Sequence, residues 1–466
     1  DLPVILVTAN QDDESVNKGF TAGSSDYIKK PVSKLELLAR VNKIITLKKA
    51  EKNNLKLIND LSKDLVTAAN IQEAMLPKWV YLDKEVMFSS YYSPTESVGG
   101  DLFDRIRIND DLYVVYIGDI SGHGVQAALL MTAIKSIINL MVDNEKDNLN
   151  LPWLLTRLNE RVCRELFISN TYMTLLMGII DVQNNVFSYL NAGHPPIIVF
   201  DTLQRKASIV ESNGSLPLGW IQSLVYTEED LGSIPLTEHN MFLLYTDGIY
   251  ECEDNKHVQF GINGLVNVIN EHLTLDSCIS LPYKIKHYIS NKKFKLPEDD
   301  FTLFAFQKQR MTLKTVSLDT VNEDKAIHHT FILSAALKEV GKTAMSCEKL
   351  ILIWTGNSAL AAKVELIVDE FLNNIVKYGY KFTENATIMM EFLLKKDKLC
   401  IKFWDKGIEW KPGDYDYNID NPYDFEKDIY NVDGKGVKII MSMSNKFHRS
   451  RYDILNETSV EIDIDR

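Results

Sequence analysis

The sequence has few of the residues that build disulfide frameworks or soft-metal sites. Its 466 residues include five cysteines and nine histidines, and no two cysteines have the Cys-x-x-Cys spacing of a zinc or redox site. The cysteines are Cys163, Cys252, Cys278, Cys347 and Cys400. An odd number of scattered cysteines is typical of a reducing compartment, so we expect a cytoplasmic protein.

Positive charge is also scarce. Lys and Arg total 51 against 64 Asp and Glu, which gives a formal net charge of −13. Nonspecific binding to nucleic acid needs an excess of basic residues that displaces counterions from phosphates, and anionic lipid attracts basic segments in a similar way. The composition therefore argues against a nucleic-acid or membrane partner.

Long hydrophobic runs are missing from the sequence as well. The most apolar helical stretch, residues 125–141, is interrupted by Gln126, Lys135 and Ser136, whereas a membrane-spanning helix needs about 20 predominantly apolar residues in a row. We find no basic segment followed by a short apolar core, so no signal peptide is expected. Hydrophobic residues still make up 45% and charged residues 25%, which is typical of globular domains. The length predicts about three of them.

Residues 1–47 alternate between strand and helix patterns. Apolar strands at 3–8 and 26–31 precede a helix over 33–47, for which Ser33 and Glu36 form a capping box. Because the first residues already have the pattern of a buried strand, we expect the beginning of this domain to be missing from the sequence.

This segment resembles the C-terminal half of a response-regulator receiver domain, which is a doubly wound α/β fold. The matching residues are Val7-Thr8-Ala9, residues 23–27 and Lys30-Pro31. The resemblance implies that Thr8 senses phosphorylation, that Lys30 pairs with the phosphoryl group, and that an upstream histidine kinase is a partner. The phosphoacceptor Asp of the family would precede this sequence. Since the motif is short, a generic α/β fragment is the alternative.

Residues 48–84 are rich in Lys, Glu, Asn and Leu, with apolar residues at spacings of three and four. The pattern consists of Ile58, Leu61, Leu65, Ala68, Gln72 and Met75. Such an a/d pattern favours a coiled coil, and we expect a parallel homodimer through this helical linker, which Pro77 ends. Only about three heptads are present, so an amphipathic helix packed on a neighbouring domain is the alternative.

Four acidic clusters recur between residues 85 and 308, each in or beside an apolar strand. They are Val98-Gly-Gly-Asp101, Tyr116-Ile-Gly-Asp119, Leu244-Tyr-Thr-Asp247-Gly248 and Asp299-Asp300-Phe-Thr-Leu303. Carboxylates beside glycines, which let the backbone approach closely, suit hard cations that prefer oxygen ligands. No His or Cys accompanies them with soft-metal spacing, so the pattern favours two Mn²⁺ or Mg²⁺ ions, which can activate water for attack on a phosphoryl group.

These motifs closely resemble the SpoIIE-like branch of the metal-dependent PPM serine/threonine phosphatases, whose fold is an αββα sandwich. The match also includes residues 71–77, 118–124, 127–131, 191–196 and 216–219, in family order. The metal ligands implied by the resemblance are Asp101, Asp119, the Ile120 carbonyl, Asp247 and Asp299. Asp119 would bridge both ions, Asp101 would support the site directly or through water, and Asp300 is the adjacent alternative to Asp299.

Two histidines of this region are candidates for a general acid. His123 and His194 lie in glycine-containing motifs, and histidine is the usual proton donor near neutral pH. The better-known eukaryotic members of the family have a histidine two residues after the bridging Asp, where this sequence has Ser121. We therefore expect both histidines to shape loops rather than to move protons.

Residues 326–466 follow a polar connector at 309–325 and contain three motifs in order. A helix pattern at 364–376 places Glu370 and Asn374 on one face, four residues apart. Asp405-Lys-Gly407 then follows an apolar strand, and Gly434-Lys-Gly436 opens another helix pattern. A glycine pair before a helix is a weak phosphate-binding signal, but its position after the other two motifs strengthens it.

This order resembles the GHKL ATPases, an α/β sandwich fold, and most closely the RsbW-like serine kinases that act as anti-sigma factors. The ATP-binding residues implied by the resemblance are Asn374, Asp405, Gly407, Gly434 and Gly436. Asn374 would help to hold Mg²⁺ on the phosphates and Asp405 would hydrogen-bond the adenine amino group. Glu370 would be the general base that takes the proton from a protein serine, and residues 411–433 would be the ATP lid.

Together these resemblances predict a multidomain α/β and α+β regulator of the bacterial partner-switching type. We expect the phosphatase to dephosphorylate a serine of a STAS-domain anti-sigma-factor antagonist, and the C-terminal kinase to act on the same class of protein, under control of the receiver and linker. Two alternatives stay open. The C-terminal domain binds ATP and sequesters a sigma factor or the antagonist without phosphotransfer, or the phosphatase domain is a degenerate scaffold.

Overall fold

The computed structural model describes most of the chain. The described residues are 2–9, 17–18, 20–166, 171–211, 214–254, 256–271, 277–292, 294–295, 299–309, 326–383, 386–409 and 435–464. The chain divides into two compact units, Asp1–Glu73 and Ala74–Arg466. Most of the predicted connector at 309–325, the predicted lid at 411–433, and Gly434 lie outside the described residues.

The first unit contains two parallel strands and most of a long helix. These elements are β1 (Ile5–Thr8), β2 (Asp26–Lys29) and α1 (Lys34–Met75). Thr8 lies opposite Lys29, and the Lys30 amide donates to the Thr8 carbonyl at 3.0 Å. Arg40 of α1 forms an ion pair with Asp26 at 2.8 Å, which ties the helix to β2. Thr8 and Lys30 therefore lie side by side at one end of the strand pair.

Helix α1 continues without interruption past the boundary expected near residue 47. The helix predicted over 33–47 and the coiled-coil pattern form one element of 42 residues, about 63 Å long at a rise of about 1.5 Å per residue. Its sequence has neither Gly nor Pro before Pro77, so no residue breaks it. Ile58 and Leu61 are 60% and 61% exposed. The middle of the apolar pattern is thus open to solvent in a single chain.

The second unit begins with two antiparallel sheets packed face to face. Their strands are β3 (Val80–Asp83), β4 (Val86–Ser93), β5 (Leu102–Arg107), β6 (Leu112–Ile120), β7 (Met173–Asp181), β8 (Val186–Ala192), β9 (Ile198–Asp201), β10 (Lys206–Ile209), β11 (Leu231–Pro235), β12 (Asn240–Tyr245) and β13 (Phe301–Lys308). The strand orders are β10-β9-β12-β13-β4-β3 and β11-β8-β7-β6-β5. Aromatic rings fill the space between the sheets, with Phe242 and Phe306 stacked at 4.6 Å between centroids.

A pair of helices covers the outer face of each sheet. The helices are α2 (Gly124–Asn144), α3 (Leu151–Glu165), α4 (Gly261–Glu271) and α5 (Leu281–Asn291). Helices α2 and α3 bury Ile134 and Leu155 against the five-stranded sheet, and α4 and α5 bury Leu265 and Ile285 against the six-stranded sheet. This arrangement confirms the αββα sandwich expected from the sequence.

Helix α2 is long and apolar enough, by length and composition, to cross a membrane, although no such segment was expected from the sequence. Its apolar residues have a packing partner, because Met131, Ile134 and Ile138 are at most 1% exposed and lie in the cluster that covers the five-stranded sheet. Lys135 on the same helix is buried and donates to the Phe103 carbonyl at 3.2 Å. One face of α2 thus packs on the five-stranded sheet, whereas Val125, Leu129 and Leu140 on the same helix are exposed.

The rest of the unit is a five-stranded antiparallel sheet with helices on one face. Its elements are β14 (Ile327–Ser334), α6 (Leu337–Thr355), α7 (Ser358–Asn374), β15 (Thr387–Leu394), β16 (Lys398–Asp405), α8 (Lys435–Met443), β17 (Lys446–Tyr452) and β18 (Leu455–Asp463). The strand order is β14-β15-β16-β18-β17. Trp354, Val364 and Phe371 pack the helices on the sheet. The α/β sandwich expected for this segment is therefore confirmed.

The opposite face of this sheet lies against the αββα sandwich. Met389, Trp404 and Leu455 of the sheet belong to the same buried cluster as Tyr283 and Ile285 of α5. Both faces of the sheet are therefore buried, and the two folds share a continuous core.

Candidate functional site

The acidic motifs converge at strand ends of the αββα sandwich. Asp119 is the next-to-last residue of β6, Asp247 lies two residues after β12, and Asp299 lies two residues before β13. Burial is the largest cause that raises the pKa of each carboxyl group, and the charges of Asp247 and Asp299 raise the pKa of Asp119 further. The pKa of Asp299 reaches about 6. The three carboxylates are thus close enough to repel one another.

Asp101 belongs to the same cluster and is 1% exposed. The hydroxyl groups of Thr246 and Thr302 both donate to its Oδ2 atom, at 2.8 and 2.5 Å. Burial, followed by the charges of Asp119 and Asp300, raises its pKa well above the ordinary value. Two threonines at the ends of neighbouring strands therefore fix one oxygen of Asp101 beside Asp119.

The adjacent residues Asp299 and Asp300 have different surroundings. The Asp300 carboxylate accepts hydrogen bonds from the backbone amides of Thr95 at 2.9 Å, Gly100 at 2.5 Å and Asp101 at 3.3 Å. It therefore holds the loop that precedes β5. The Asp299 carboxylate accepts from the Asp300 amide at 2.8 Å through one oxygen. Asp299 thus keeps more capacity to bind a ligand than Asp300 does.

Two glycines of the acidic motifs allow this close packing. A Cβ atom on Gly99 would collide with the Asp300 carboxylate, and one on Gly248 would collide with the Asp300 carbonyl oxygen. Neither glycine has a positive φ angle. Both are therefore required by the close approach of the chain to Asp300.

The loop after β6 places a carbonyl group and a histidine beside the carboxylates. A Cβ atom on Gly100 would lie 3.2 Å from the Ile120 carbonyl oxygen. Gly122 and Gly124 have φ angles of 101° and 76°, so the loop turns sharply before α2. His123 lies between them, exposed, with Nδ1 3.1 Å from Glu96 Oε1.

His194 is built into the fold. Its amide donates to Asn191 Oδ1 at 2.7 Å, its carbonyl accepts from Asn191 Nδ2 at 2.8 Å, and its ring Nδ1 lies 2.9 Å from Thr174 Oγ1. Burial lowers the pKa of His194 to about 3, so the ring is neutral at pH 7. These contacts fit a loop-shaping role.

The carboxylates do not form a ready-made metal site. Within the described ranges, no three Asp, Glu, His or Cys side chains converge as a group that could hold a metal ion. The donor set nevertheless fits hard cations, because every candidate side chain offers oxygen and the raised pKa values reflect burial together with repulsion between negative charges. Mn²⁺ or Mg²⁺ would relieve that repulsion.

A second candidate site lies at the end of β16. Asp405 is fully buried, and its Oδ1 atom accepts from the Gly407 amide at 2.8 Å and from Asn456 Nδ2 at 2.7 Å. Burial raises its pKa, and the nearby Arg449 opposes that shift. The Oδ2 atom lies 3.6 Å from Arg449 Nη2 and has no hydrogen-bond partner among the described residues. A buried acceptor of this kind fits an N–H donor such as the amino group of adenine.

Asn456 and Arg451 complete this pocket and were missed in the sequence. Asn456 Nδ2 also donates to the Gly407 carbonyl at 3.0 Å, and Arg451 Nη1 donates to Asn456 Oδ1 at 2.8 Å and to the Gly407 carbonyl at 3.0 Å. The available signal was the alternation of β18, which places Asn456 on the same buried face as Val460 and Ile462. A polar residue on that face indicates a specific hydrogen-bonding role.

Glu370, Asn374 and Gly436 meet at the junction of α7 and α8. A Cβ atom on Gly436 would lie 2.6 Å from Glu370 Oε2 and 3.0 Å from Asn374 Nδ2. The Asn374 Nδ2 atom is buried and has no hydrogen-bond partner within the described part of the chain. An unused amide beside the beginning of a helix fits a phosphate-bearing ligand with its metal ion.

The helical segment Ile375–Gly379 joins the two ends of this second site. The Ile408 amide donates to the Gly379 carbonyl at 2.8 Å. A Cβ atom on Gly407 would lie 2.8 Å from the Gly379 backbone, so only glycine permits this approach. The extension of α7 that begins after Asn374 therefore packs directly on the loop that follows Asp405.

Two family models match the chain in the regions of these sites. Residues 109–309 match the family described as stage II sporulation protein E (SpoIIE), and residues 333–459 match the histidine kinase-like ATPase domain. The first range contains Asp119, Asp247 and Asp299, and the second contains Glu370 and Asp405.

Curated relatives are similar to parts of the chain. Protein IcfG of Synechocystis sp. is 23% identical over 265 residues, 52% of this chain and 41% of IcfG. Phosphoserine phosphatase RsbP of Bacillus subtilis is 26% identical over 189 residues, 41% of this chain and 45% of RsbP. Response regulator SaeR of Staphylococcus aureus is 33% identical over 75 residues, 16% of this chain and 32% of SaeR. The chain thus spans less than half the length of these relatives.

Solved structures align with parts of the chain at low identity. The RsbU and RsbW domains of Rv1364c from Mycobacterium tuberculosis align with 82% of this chain and 93% of that one, at 17% identity and a TM-score of 0.42. The SiaA-PP2C domain of Pseudomonas aeruginosa aligns with 53% of this chain and 97% of that one, at 18% identity and a TM-score of 0.44.

Proposed function

We propose that the chain reversibly controls a protein phosphoserine, because residues 109–309 match the SpoIIE family and residues 333–459 match the histidine kinase-like ATPase domain. The phosphatase domain hydrolyses the phosphoserine of a STAS-domain anti-sigma-factor antagonist in the bacterial cytoplasm. The observation that carries this proposal is the cluster of Asp119, Asp247 and Asp299, whose pKa values are all raised.

The group of carboxylates at the strand ends (Asp101, Asp119, Asp247 and Asp299), which we call the acidic cleft, would hold two Mn²⁺ or Mg²⁺ ions through Asp119, Asp247, Asp299 and the Ile120 carbonyl. Such ions, when bound, polarise a phosphoryl oxygen and acidify a water molecule. The chain supplies the positions of the ligands. Thr246 and Thr302 fix Asp101 beside Asp119. Asp300 serves as the anchor of the neighbouring loop, and this leaves Asp299 as the ligand of the adjacent pair.

The ATPase domain would act as a serine kinase on the same class of antagonist. Asp405 Oδ2 would accept a hydrogen bond from the adenine amino group, while Asn374 and the Gly434 to Gly436 segment hold the phosphates with Mg²⁺. Glu370 would take the proton from the substrate serine. The closeness of Glu370 Oε2 to the Cβ position of Gly436 supports this role, because Gly436 belongs to the segment that would hold the phosphates.

A second candidate function is nucleotide-dependent sequestration of a sigma factor or of the antagonist, without phosphotransfer. The observation that favours this function is that the residues around Asp405, which would bind the base, are separate from Glu370, which would catalyse phosphotransfer. Asp405, Gly407 and Asn456 form one hydrogen-bonded group that would bind the nucleotide, and Glu370 is the candidate for chemistry. Without catalysis by Glu370, the domain would bind the nucleotide without transferring phosphate.

The N-terminal unit would provide regulation. Thr8 and Lys30 would respond to phosphorylation of a receiver domain by an upstream histidine kinase, and their adjacency at one strand end supports that role. The exposed Ile58 and Leu61 of α1 would pair with a second copy of the helix in a parallel homodimer.

The decisive experiment incubates the full chain with a phosphorylated and an unphosphorylated STAS-domain protein from the same genome, with Mn²⁺, Mg²⁺ and ATP. Mass spectrometry of the serine reports both directions. We expect loss of phosphate that Asp247→Asn abolishes, and gain of phosphate that Glu370→Gln abolishes. Persistence of the phosphoserine with the wild-type chain in a parallel reaction without ATP would contradict the phosphatase assignment, and ATP binding without transfer would establish the second candidate.

A further inference from the structure

Polar contacts join the αββα sandwich to the ATPase sheet, in addition to the shared core. Lys284 Nζ on α5 lies 3.4 Å from Glu457 Oε1, and the other oxygen of Glu457 accepts from Trp404 Nε1 at 2.8 Å. The Tyr91 hydroxyl on β4 donates to Asp453 Oδ2 at 2.9 Å. The contacts involve β16, β18 and the β17–β18 turn, and the opposite face of the same two strands forms the pocket around Asp405.

Lys406 extends this interface into the nucleotide pocket. It is the residue between Asp405 and Gly407, so its backbone belongs to the loop that would contact the base. Its Nζ atom lies 5.4 Å from the ring centroid of Trp79 and 5.0 Å from that of Tyr283, which are distances of a cation–π interaction. We call Lys406, Trp79 and Tyr283 the aromatic box. One residue thus has its backbone in the ATPase pocket and its charge against the phosphatase domain.

A row of aromatic rings leads from the box to the acidic cleft. The Tyr283 hydroxyl donates to the Ser90 carbonyl at 2.7 Å. The ring of Tyr283 lies 5.4 Å from that of Tyr91, which lies 5.8 Å from that of Phe301. Phe301 begins β13 and directly follows Asp300. Because close-packed interiors transmit displacement, a shift of Tyr283 acts on the strand that follows the metal-binding carboxylates.

We propose that nucleotide binding to the ATPase domain changes the phosphatase activity of the same chain through the aromatic box. This inference rests on the proposed function of both domains. An adenine base that hydrogen-bonds to Asp405 and packs on Gly407 fixes the backbone on both sides of Lys406. The rings of the aromatic box hold the charged end of the Lys406 side chain. The two sites then share one structural element. Ligand binding at one site therefore changes the affinity of the other site for its own ligand, and the factor is the same in both directions.

The test measures hydrolysis of p-nitrophenyl phosphate by the full-length chain with Mn²⁺, with and without saturating ADP. This small substrate needs no partner protein, and ADP occupies the pocket without a transferable γ-phosphoryl group. We expect ADP to change kcat/KM by about fivefold or more in the wild-type chain. In Lys406→Met, which keeps most of the length of the side chain and removes its charge, ADP should still bind but leave kcat/KM unchanged.

Three further variants make the result specific. Trp79→Leu removes one of the two rings that contact Lys406 and should weaken the response, whereas Lys349→Met, at an exposed lysine of α6, should retain it in full. Asp405→Asn is expected to weaken nucleotide binding. Any change in kcat/KM that ADP still causes in this variant would come from chelation of Mn²⁺ by ADP.

The possible results distinguish a failure of the proposed nucleotide effect from a failure of the proposed function on which it rests. If calorimetry shows that ADP binds the wild-type chain while kcat/KM stays constant, the coupling is wrong. A full response in Lys406→Met overturns the role of the box. If the wild-type chain neither binds ADP nor hydrolyses the substrate, the proposed function fails, and the coupling fails with it.

Discussion

The two candidate sites both bury carboxyl groups but surround them differently. In the phosphatase cleft, Asp101 and Asp119 have pKa values raised by burial and then by other carboxylates. Asp405 in the candidate nucleotide pocket is also buried, yet Arg449, Asn456 and a backbone amide all oppose the effect of burial. The cleft is thus suited to a ligand that brings positive charge, and the pocket to a neutral base that brings an N–H donor.

The largest effect expected from this contrast is the loss of phosphatase activity when a cleft carboxylate is neutralised. Asp119→Asn or Asp247→Asn should lower kcat/KM for p-nitrophenyl phosphate by at least about 100-fold at saturating Mn²⁺, because the charge that binds the ions is reduced. Asp110→Asn, at an exposed residue near the β5–β6 turn, is the matched control. Full activity of either cleft variant would refute the assignment.

A smaller effect is expected in the pocket, where a single hydrogen bond is at stake. Asp405→Asn should weaken ATP binding by about 10-fold or more, since hydrogen bonds to a charged group contribute about 1.5–3 kcal/mol. Isothermal titration calorimetry on the full chain gives the dissociation constant. Asp397→Asn, at an exposed residue of the same domain, serves as the control. An unchanged affinity for ATP in Asp405→Asn would mean that other residues recognise the adenine base.

The residues that hold Asp101 and Asp405 in place distinguish the two sites further. Thr302→Val removes one of the two hydroxyl groups that hold Asp101 and should weaken Mn²⁺ binding by about 10-fold, as expected for a residue that orients a ligand. Asn456→Leu removes the amide that holds Asp405 and should weaken ATP binding instead. Each variant should leave the affinity at the other site within about twofold. A variant that weakens both ligands equally would indicate general loss of structure.

The smallest expected effect is on stability in the absence of metal. The folded-state pKa of Asp299, about 6, lies above its ordinary value of 3.8. Ionisation is therefore unfavourable in the folded protein, so stability falls as pH rises from about 4 to 6 and stays lower above that range. With EDTA, Asp299→Asn should raise the Tm by about 2–4 °C at pH 7.5 and have little effect at pH 4.

Mn²⁺ provides the complementary measurement for Asp299. The ion should stabilise the wild-type chain at pH 7.5 more than it stabilises Asp299→Asn, because the variant lacks one negative charge at the site. Differential scanning fluorimetry with and without Mn²⁺ measures both shifts. Equal stabilisation of the two proteins would show that Asp299 is not a ligand.

The sequence predicted the fold of each domain and the positions of the acidic motifs, because glycines beside carboxylates at strand ends form local patterns. It did not separate Asp299 from Asp300, since their difference depends on which backbone amides face each side chain. Asn456 and Lys406 were missed for a related reason. Their contacts are set by the pairing of β16 with β18 and by packing between residues hundreds of positions apart.

The covered face of the ATPase sheet has a consequence for recombinant fragments. The family match spans residues 333–459, whereas β14 begins at Ile327 and β18 ends at Asp463. A fragment cut at the limits of the match would lose most of one edge strand and expose Met389, Trp404 and Leu455 to water. Such a patch promotes aggregation, so poor solubility of that fragment would reflect where it was cut and not a defect of the nucleotide pocket.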